Sequence, residues 1–124
     1  MKYPLAFSTW GKEEVEAIQK VIDTDMYTMG KHVKQFEQEF ADLFESPNAV
    51  MVNSGSSANL LMLSLLKWKY KLKGDIIAPV VGWATTYFPI AQNDFKINFV
   101  DVDPNTWNID VNKIEQAITP NTCA

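Results

Sequence analysis

The residues best suited to chemistry in this 124-residue chain are Asn53-Ser54-Gly55-Ser56-Ser57-Ala58-Asn59. They stand between the short apolar run Ala49-Val50-Met51-Val52 and an apolar stretch of helical character. In an open α/β sheet, ligands bind beyond the carboxyl ends of strands, where a strand–turn–helix of this kind puts its turn. Gly55 lets the backbone come close to a guest, and the first amides of the following helix lack internal partners. Together with the helix dipole they favour an anion, and the hydroxyls of Ser56 and Ser57 add donors. Phosphate is the guest that suits them. The plainer reading, that Ser56 or Ser57 only caps the helix, stays open.

A second feature, Gly82-Trp83-Ala84-Thr85-Thr86-Tyr87, follows another apolar run and falls on the same edge of the expected sheet. A tryptophan there could lie flat against a planar ligand, offset stacking contributing roughly 0.5–1.5 kcal/mol beyond area burial. From the residues alone, a Trp83 packed in the core is the preferred reading, with Thr85 and Thr86 as helix-start residues. His32 reads as a solvated residue at a helix start, and Trp10, Tyr27 and Trp107 read as packing residues. Asp101 and Asp103 flank the end of a third apolar run, but Asp103-Pro104-Asn105 is ordinary turn chemistry. The lysines between Lys67 and Lys73 read as a solvated helix end, favourable to the dipole. No G-x-x-x-x-G-K-[ST] is present and no G-x-G-x-x-G follows a strand, which excludes a P-loop and leaves dinucleotide binding unsupported. A response regulator would need acids where Asn53 and Val80 stand. A single histidine provides neither a Ser–His–Asp arrangement nor a metal cluster.

Positioning these residues calls for alternating elements. Apolar spacing predicts helices over 12–23 and 32–45, the second placing Val33, Phe36, Phe40, Leu43 and Phe44 on one face. Ser46-Pro47-Asn48 stops it, because a residue before proline avoids helical geometry. Residues 49–53 suit a strand buried on both faces. A turn over 54–57 leads into a helix over 58–70, followed by a strand over 76–80 and a helix over 84–93 that contains Pro89. A third strand over 97–102 closes on the turn Asp103-Pro104-Asn105-Thr106, and Asp110 caps a last helix over 111–118. The fold class expected is therefore α/β, three layers α-β-α around a mostly parallel sheet. Residues 1–48 form its N-terminal helical segment and 49–124 the first part of the sheet domain. The pattern predicts a fourth strand where the chain stops, so the molecule reads as a single domain cut short.

Composition narrows the classes. With 47% apolar and 21% charged residues, a packed core is expected. Eleven basic against fifteen acidic side chains, a net charge of −4, argue against nucleic acid or anionic lipid as partners. No apolar run approaches the ~20 residues of a membrane span, and Met1-Lys2-Tyr3-Pro4 lacks the features of a secretory signal. The lone cysteine, Cys123, has no disulfide partner. A soluble, cytoplasmic, metal-free unit is expected.

Taken in order, the segments resemble the DegT/StrS-type sugar aminotransferases, pyridoxal-phosphate enzymes of the aspartate-aminotransferase fold. Gly11-Lys12-Glu13-Glu14-Val15-Glu16-Ala17 is similar to that family's opening helix, and Tyr27-Thr28-Met29-Gly30 to its W-x-T-x-G loop. Phe36-Glu37-Gln38-Glu39-Phe40-Ala41 is similar to the next helix. Asn53-Ser54-Gly55-Ser56-Ser57-Ala58 stands where the family has N-S-G-[TS]-[AS]-A, and Gly82-Trp83-Ala84-Thr85-Thr86 corresponds to its aromatic-x-x-T segment. Phe99-Val100-Asp101-Val102-Asp103 and Asn108-Ile109-Asp110 resemble its F-V-D-x-D and N-I-D signature.

The resemblance implies that Gly55, Ser56 and Ser57 hold the phosphate of pyridoxal 5′-phosphate. It also implies that Trp83 stacks on the pyridine ring, against the core-packing preference, and that Thr28 contacts substrate. It implies a transfer of an amino group from an amino-acid donor, typically glutamate, to a nucleotide-linked ketosugar, in cell-surface polysaccharide or amino-sugar biosynthesis. The Schiff-base lysine and the aspartate that pairs with the ring nitrogen are expected beyond residue 124, so no catalytic residue is assigned in the chain and it is expected to be inactive alone. A homodimer is implied for the full-length form. Two alternatives remain. Ser54-Gly55-Ser56-Ser57-Ala58-Asn59-Leu60 and Gln92-Asn93 are also similar to the sugar 3-dehydratases of the superfamily, pyridoxamine-phosphate enzymes that carry a histidine in place of the lysine. A non-catalytic module for a phosphorylated ligand is the other.

Overall fold

The computed structural model describes residues 6–124; the opening residues Met1-Lys2-Tyr3-Pro4 discussed above lie outside them. The chain divides between Met51 and Val52 into two compact units. The first holds α1 (Lys12–Ile22) and α2 (Lys31–Leu43). At the start of α1 the amide of Gly11 donates to Glu14 Oε2 at 2.7 Å. That bond holds the Glu14 carboxyl below the usual carboxylate range. α2 stops two residues earlier than proline alone would require. Glu45 adopts a left-handed backbone, φ 51°, and the Ser46 amide closes onto the Ala41 carbonyl at 2.9 Å, so the turn is complete before Pro47. Phe36, Phe40 and Phe44 meet along the predicted face, with ring centroids 5.6 and 4.6 Å apart in succession, and all three stay exposed.

The second unit runs α3 (Gly55–Trp68), β1 (Asp75–Pro79), α4 (Ala84–Gln92), β2 (Lys96–Val100) and α5 (Val111–Ala117). β1 and β2 pair in parallel, from Asp75 opposite Lys96 to Pro79 opposite Val100. α4 is the crossover that a parallel pair requires. Alternation along β1 buries Ile76 and Ala78, which meet Ile90 of α4 and Phe95. Leu63 and Leu66 of α3 pack against this core, as do Leu72, Tyr87, Ile97 and Cys123. Burial pushes the Cys123 thiol up from its ordinary pKa. The helices and the small parallel sheet make an α/β fold.

Three expectations are corrected. Residues 49–53 form no strand, and Val50 and Met51 are exposed, because no other segment among the described residues pairs with them. β2 ends at Val100, and Val102 instead forms an antiparallel bridge with Ile109 that closes the 103–108 turn. Lys67 is not a solvated helix end: its ammonium pairs with Asp94 and the Asn93 carbonyl, tying α3 to the turn after α4. The fourth strand takes the form of a short strip. Thr122 bridges Asp75 in parallel, the amides of Asp75 and Ile77 donate to the carbonyls of Asn121 and Ala124, and Cys123 donates back to Asp75, each at 2.9 Å.

Beyond β2, the Val102 amide donates to Asp101 Oδ1 at 2.9 Å, and Lys113 Nζ lies 3.4 Å from Asp101 Oδ2. The Val102 bond first, and Lys113 second, hold the Asp101 carboxyl below its usual range. A carboxylate with a depressed folded pKa stabilises above the unfolded value and loses that contribution as pH falls through the folded one. Hydrogen-exchange protection of α5 should therefore decline selectively below about pH 4. Asp101→Asn should flatten that dependence; equal pH profiles for the two proteins would contradict the assignment.

Candidate functional site

The site is built on the first turn of α3. Ser54, extended at φ −164° and ψ 160°, is the N-cap, and its Oγ accepts from the Ser57 amide at 3.2 Å. The cap is thus Ser54, and the alternative reading in which Ser56 or Ser57 caps the helix is set aside. With Ser54 capping, Gly55, Ser56 and Ser57 become the first three helical residues instead of a turn ahead of it. The Ser57 hydroxyl donates to Asn53 Oδ1 at 2.7 Å, so Ser57 braces the loop. The amides of Gly55 and Ser56 have no hydrogen-bond partner among the described residues. A Cβ built on Gly55 would meet nothing within 4 Å. The first turn also carries no acidic residue, although one would favour the helix dipole. An uncapped pair of amides, open space beside them and an absence of negative charge suit an anion. Ser54→Ala should lower stability by about 1 kcal/mol, read as a shift of the urea midpoint; an unchanged midpoint would deny the cap its role.

Ser56, Ser57 and Leu60 face Thr85, Phe88, Pro89 and Gln92 of α4 across a cavity of about 200 Å³. What holds the two helices at this point is a defect in α4. Pro89 has no amide hydrogen to give the Thr85 carbonyl one turn back. Asn59 Nδ2 reaches that carbonyl from α3, at 3.4 Å. Thr85 is therefore more than a helix-start residue. The family resemblance marks Thr85 and Gln92, whereas the place of Phe88 in the cavity has only its helical spacing as a signal.

Trp83 is the N-cap residue of α4, two positions before Thr85, and its side chain is 74% exposed. It is not a core residue and does not line the cavity. Trp10, Tyr27 and Trp107 are exposed as well, so the packing roles expected of them are absent among the described residues. Thr28 belongs to the first unit, where it lines a separate cavity of about 280 Å³ with Thr24, Tyr27, Met29 and His32. Met29 takes a left-handed backbone there, φ 46°. Among the described residues no cluster of three His, Cys, Asp or Glu side chains could hold a metal, and no helix is long and apolar enough to cross a membrane.

Solved structures of the pyridoxal-phosphate-dependent aminotransferase fold superimpose on this chain, its parallel β-α-β core included. An E. coli GDP-4-keto-6-deoxy-D-mannose 3-dehydratase with bound hydrated pyridoxal phosphate matches with a TM-score of 0.86 at 49% identity, covering 97% of this chain and 32% of that one. A sugar aminotransferase from Micromonospora echinospora matches with a TM-score of 0.84 at 27% identity, covering 98% of this chain and 32% of that one. The chain belongs to the DegT/DnrJ/EryC1/StrS aminotransferase family, whose sequence model matches residues 8–124. Among curated relatives, the GDP-4-keto-6-deoxy-D-mannose 3-dehydratase of Yersinia pseudotuberculosis is 49% identical over 100% of this chain and 33% of its own length. The chain thus spans about a third of the length of that relative.

Proposed function

We propose that this chain is the phosphate-cup portion of a pyridoxal- or pyridoxamine-phosphate enzyme acting on a nucleotide-linked 4-keto-6-deoxy sugar, and that the reaction is 3-dehydration. The observation that carries the choice is the 49% identity, across the whole chain, to a dehydratase of that kind, against 27% to the sugar aminotransferase. The amino-transfer reading, which the motif resemblance puts first, takes second place on those numbers.

The residues fit the cofactor's phosphate ester. The amides of Gly55 and Ser56 are without partners, the Ser56 hydroxyl adds a donor, and the space beside Gly55 is open. In this reading Ser54 and Ser57 keep that turn in shape, Trp83 offers its indole face to the pyridine ring, and Thr28 contacts the sugar nucleotide. When bound, the cofactor supplies an electron sink for bond changes at the sugar. The chain's own contribution is to bind its phosphate and orient its ring.

Calorimetric titration of the chain with pyridoxamine 5′-phosphate tests this. That probe lacks an aldehyde and cannot form imines with surface lysines. Binding should occur and should be displaced by inorganic phosphate. Gly55→Ala should weaken it about tenfold while leaving stability unchanged, or higher by up to ~1 kcal/mol, since alanine is the better helix former. Absence of binding, or an affinity indifferent to Gly55→Ala, would remove the cup assignment. The reaction is decided separately by the residue that the parent gene encodes at the family's lysine position. Histidine supports dehydration, and lysine returns amino transfer to first place.

A further inference from the structure

We infer that Tyr87 is a positioning residue for Trp83, fastening the segment that presents the indole ring. The inference rests on the reading of Trp83 as the face for the cofactor ring. The Tyr87 hydroxyl donates to the Pro79 carbonyl, the last residue of β1, at 2.8 Å. Its ring meets Phe99 of β2 edge-on, centroids 5.4 Å apart and planes at 78°, and packs against the core. Gly82, the residue before Trp83, lies directly under that hydroxyl: a Cβ on Gly82 would overlap it. The four residues between β1 and α4 are thus closed from one side by the Val80 amide, which donates to Val100 at 2.8 Å, and from the other by Tyr87. At Trp83 itself the backbone is engaged, its carbonyl accepting the Thr86 amide at 2.9 Å, while the ring is largely exposed. With little packing to orient it, the ring stands where its backbone is held. A segment held in place before the ligand arrives lowers the ordering penalty on binding to what the ring alone must lose.

The test uses the 124-residue chain with Trp10, Trp68 and Trp107 replaced by phenylalanine, leaving Trp83 as the emitter. Tyr87→Phe removes the hydroxyl and keeps the ring. It should lower Trp83 anisotropy and raise acrylamide quenching about twofold in the ligand-free chain. It should also weaken pyridoxamine 5′-phosphate binding three- to tenfold, the range of one net hydrogen bond. Affinity for inorganic phosphate, which needs only the α3 turn, should not change. Gly82→Ala, whose Cβ would push on the Tyr87 hydroxyl and the ring carbon that carries it, should move the same readouts in the same direction. Unchanged anisotropy in both variants would overturn the inference. So would equal losses for phosphate and for pyridoxamine phosphate, which mark a general structural role. If Trp83→Ala leaves pyridoxamine phosphate affinity untouched, the cofactor reading of Trp83 falls; the ligand-free anisotropy comparison still decides whether Tyr87 holds the ring.

Discussion

Alanine in place of Gly74 is expected to lower the stability of the second unit by about 3 kcal/mol. Gly74 has φ +126°, a backbone state that side chains rarely adopt, and an added Cβ would overlap the carbonyl oxygen of Asn121. The conformational strain and the overlap are each of order 1–3 kcal/mol. Neither is relieved by a rotamer change, because the obstacle is backbone that already accepts the Asp75 amide. The strip 121–124 must therefore leave β1 or the chain must strain at residue 74. Urea unfolding followed by circular dichroism gives the loss, and hydrogen exchange should show the Ile77 and Cys123 amides losing protection first. A midpoint equal to that of the parent chain would show that the strip does not depend on this turn.

Ser56→Asp should separate stability from binding. A carboxylate in the first turn of α3 favours the helix dipole by roughly 0.3–1 kcal/mol, so the unfolding midpoint should hold or rise. The same carboxylate would face the phosphate ester that the proposed cup holds. At ~4 Å and an effective dielectric near 20, a pair of like unit charges repels by about 4 kcal/mol. Partial hydration reduces that figure, and a hundredfold loss of pyridoxamine 5′-phosphate affinity is the expected minimum, easing at high salt. A variant that becomes less stable and binds as before would place the anion elsewhere.

Much of this arrangement is readable from residue order. The alternation from Ile76 onward appears as β1, α4, β2 and α5 within one or two residues at each end, and Asp110 caps α5 by accepting the Asn112 amide. Cap and turn chemistry is local, which is why it survives reading along a line. What residue order conceals depends on partners distant in sequence. Residues 49–53 have strand composition, but a strand exists only when another segment supplies the ladder. Lys67 looks solvated until the left-handed Asp94 turns its carboxylate back toward α3. Trp83 looks like a core residue because nothing in its neighbours says that the helix start carrying it faces outward. The serine turn reads as a candidate anion site from sequence, while the hydrogen bonding within it, Ser54 to Ser57 and Ser57 to Asn53, is visible only in the structure.

The register of α3 against α4 is keyed by a missing proton. Because Pro89 cannot satisfy the Thr85 carbonyl, that oxygen is permanently vacant to a donor from outside, and Asn59 stands one turn beyond the serines at the matching height. Pro89→Ala would restore the amide that α4's own ladder lacks, and the Thr85 carbonyl would then be shared between that amide and Asn59. A substitution that improves one helix would thereby dilute the Asn59 tie, leaving Ser64 and Lys67 to hold α3 to Asn93 and Asp94.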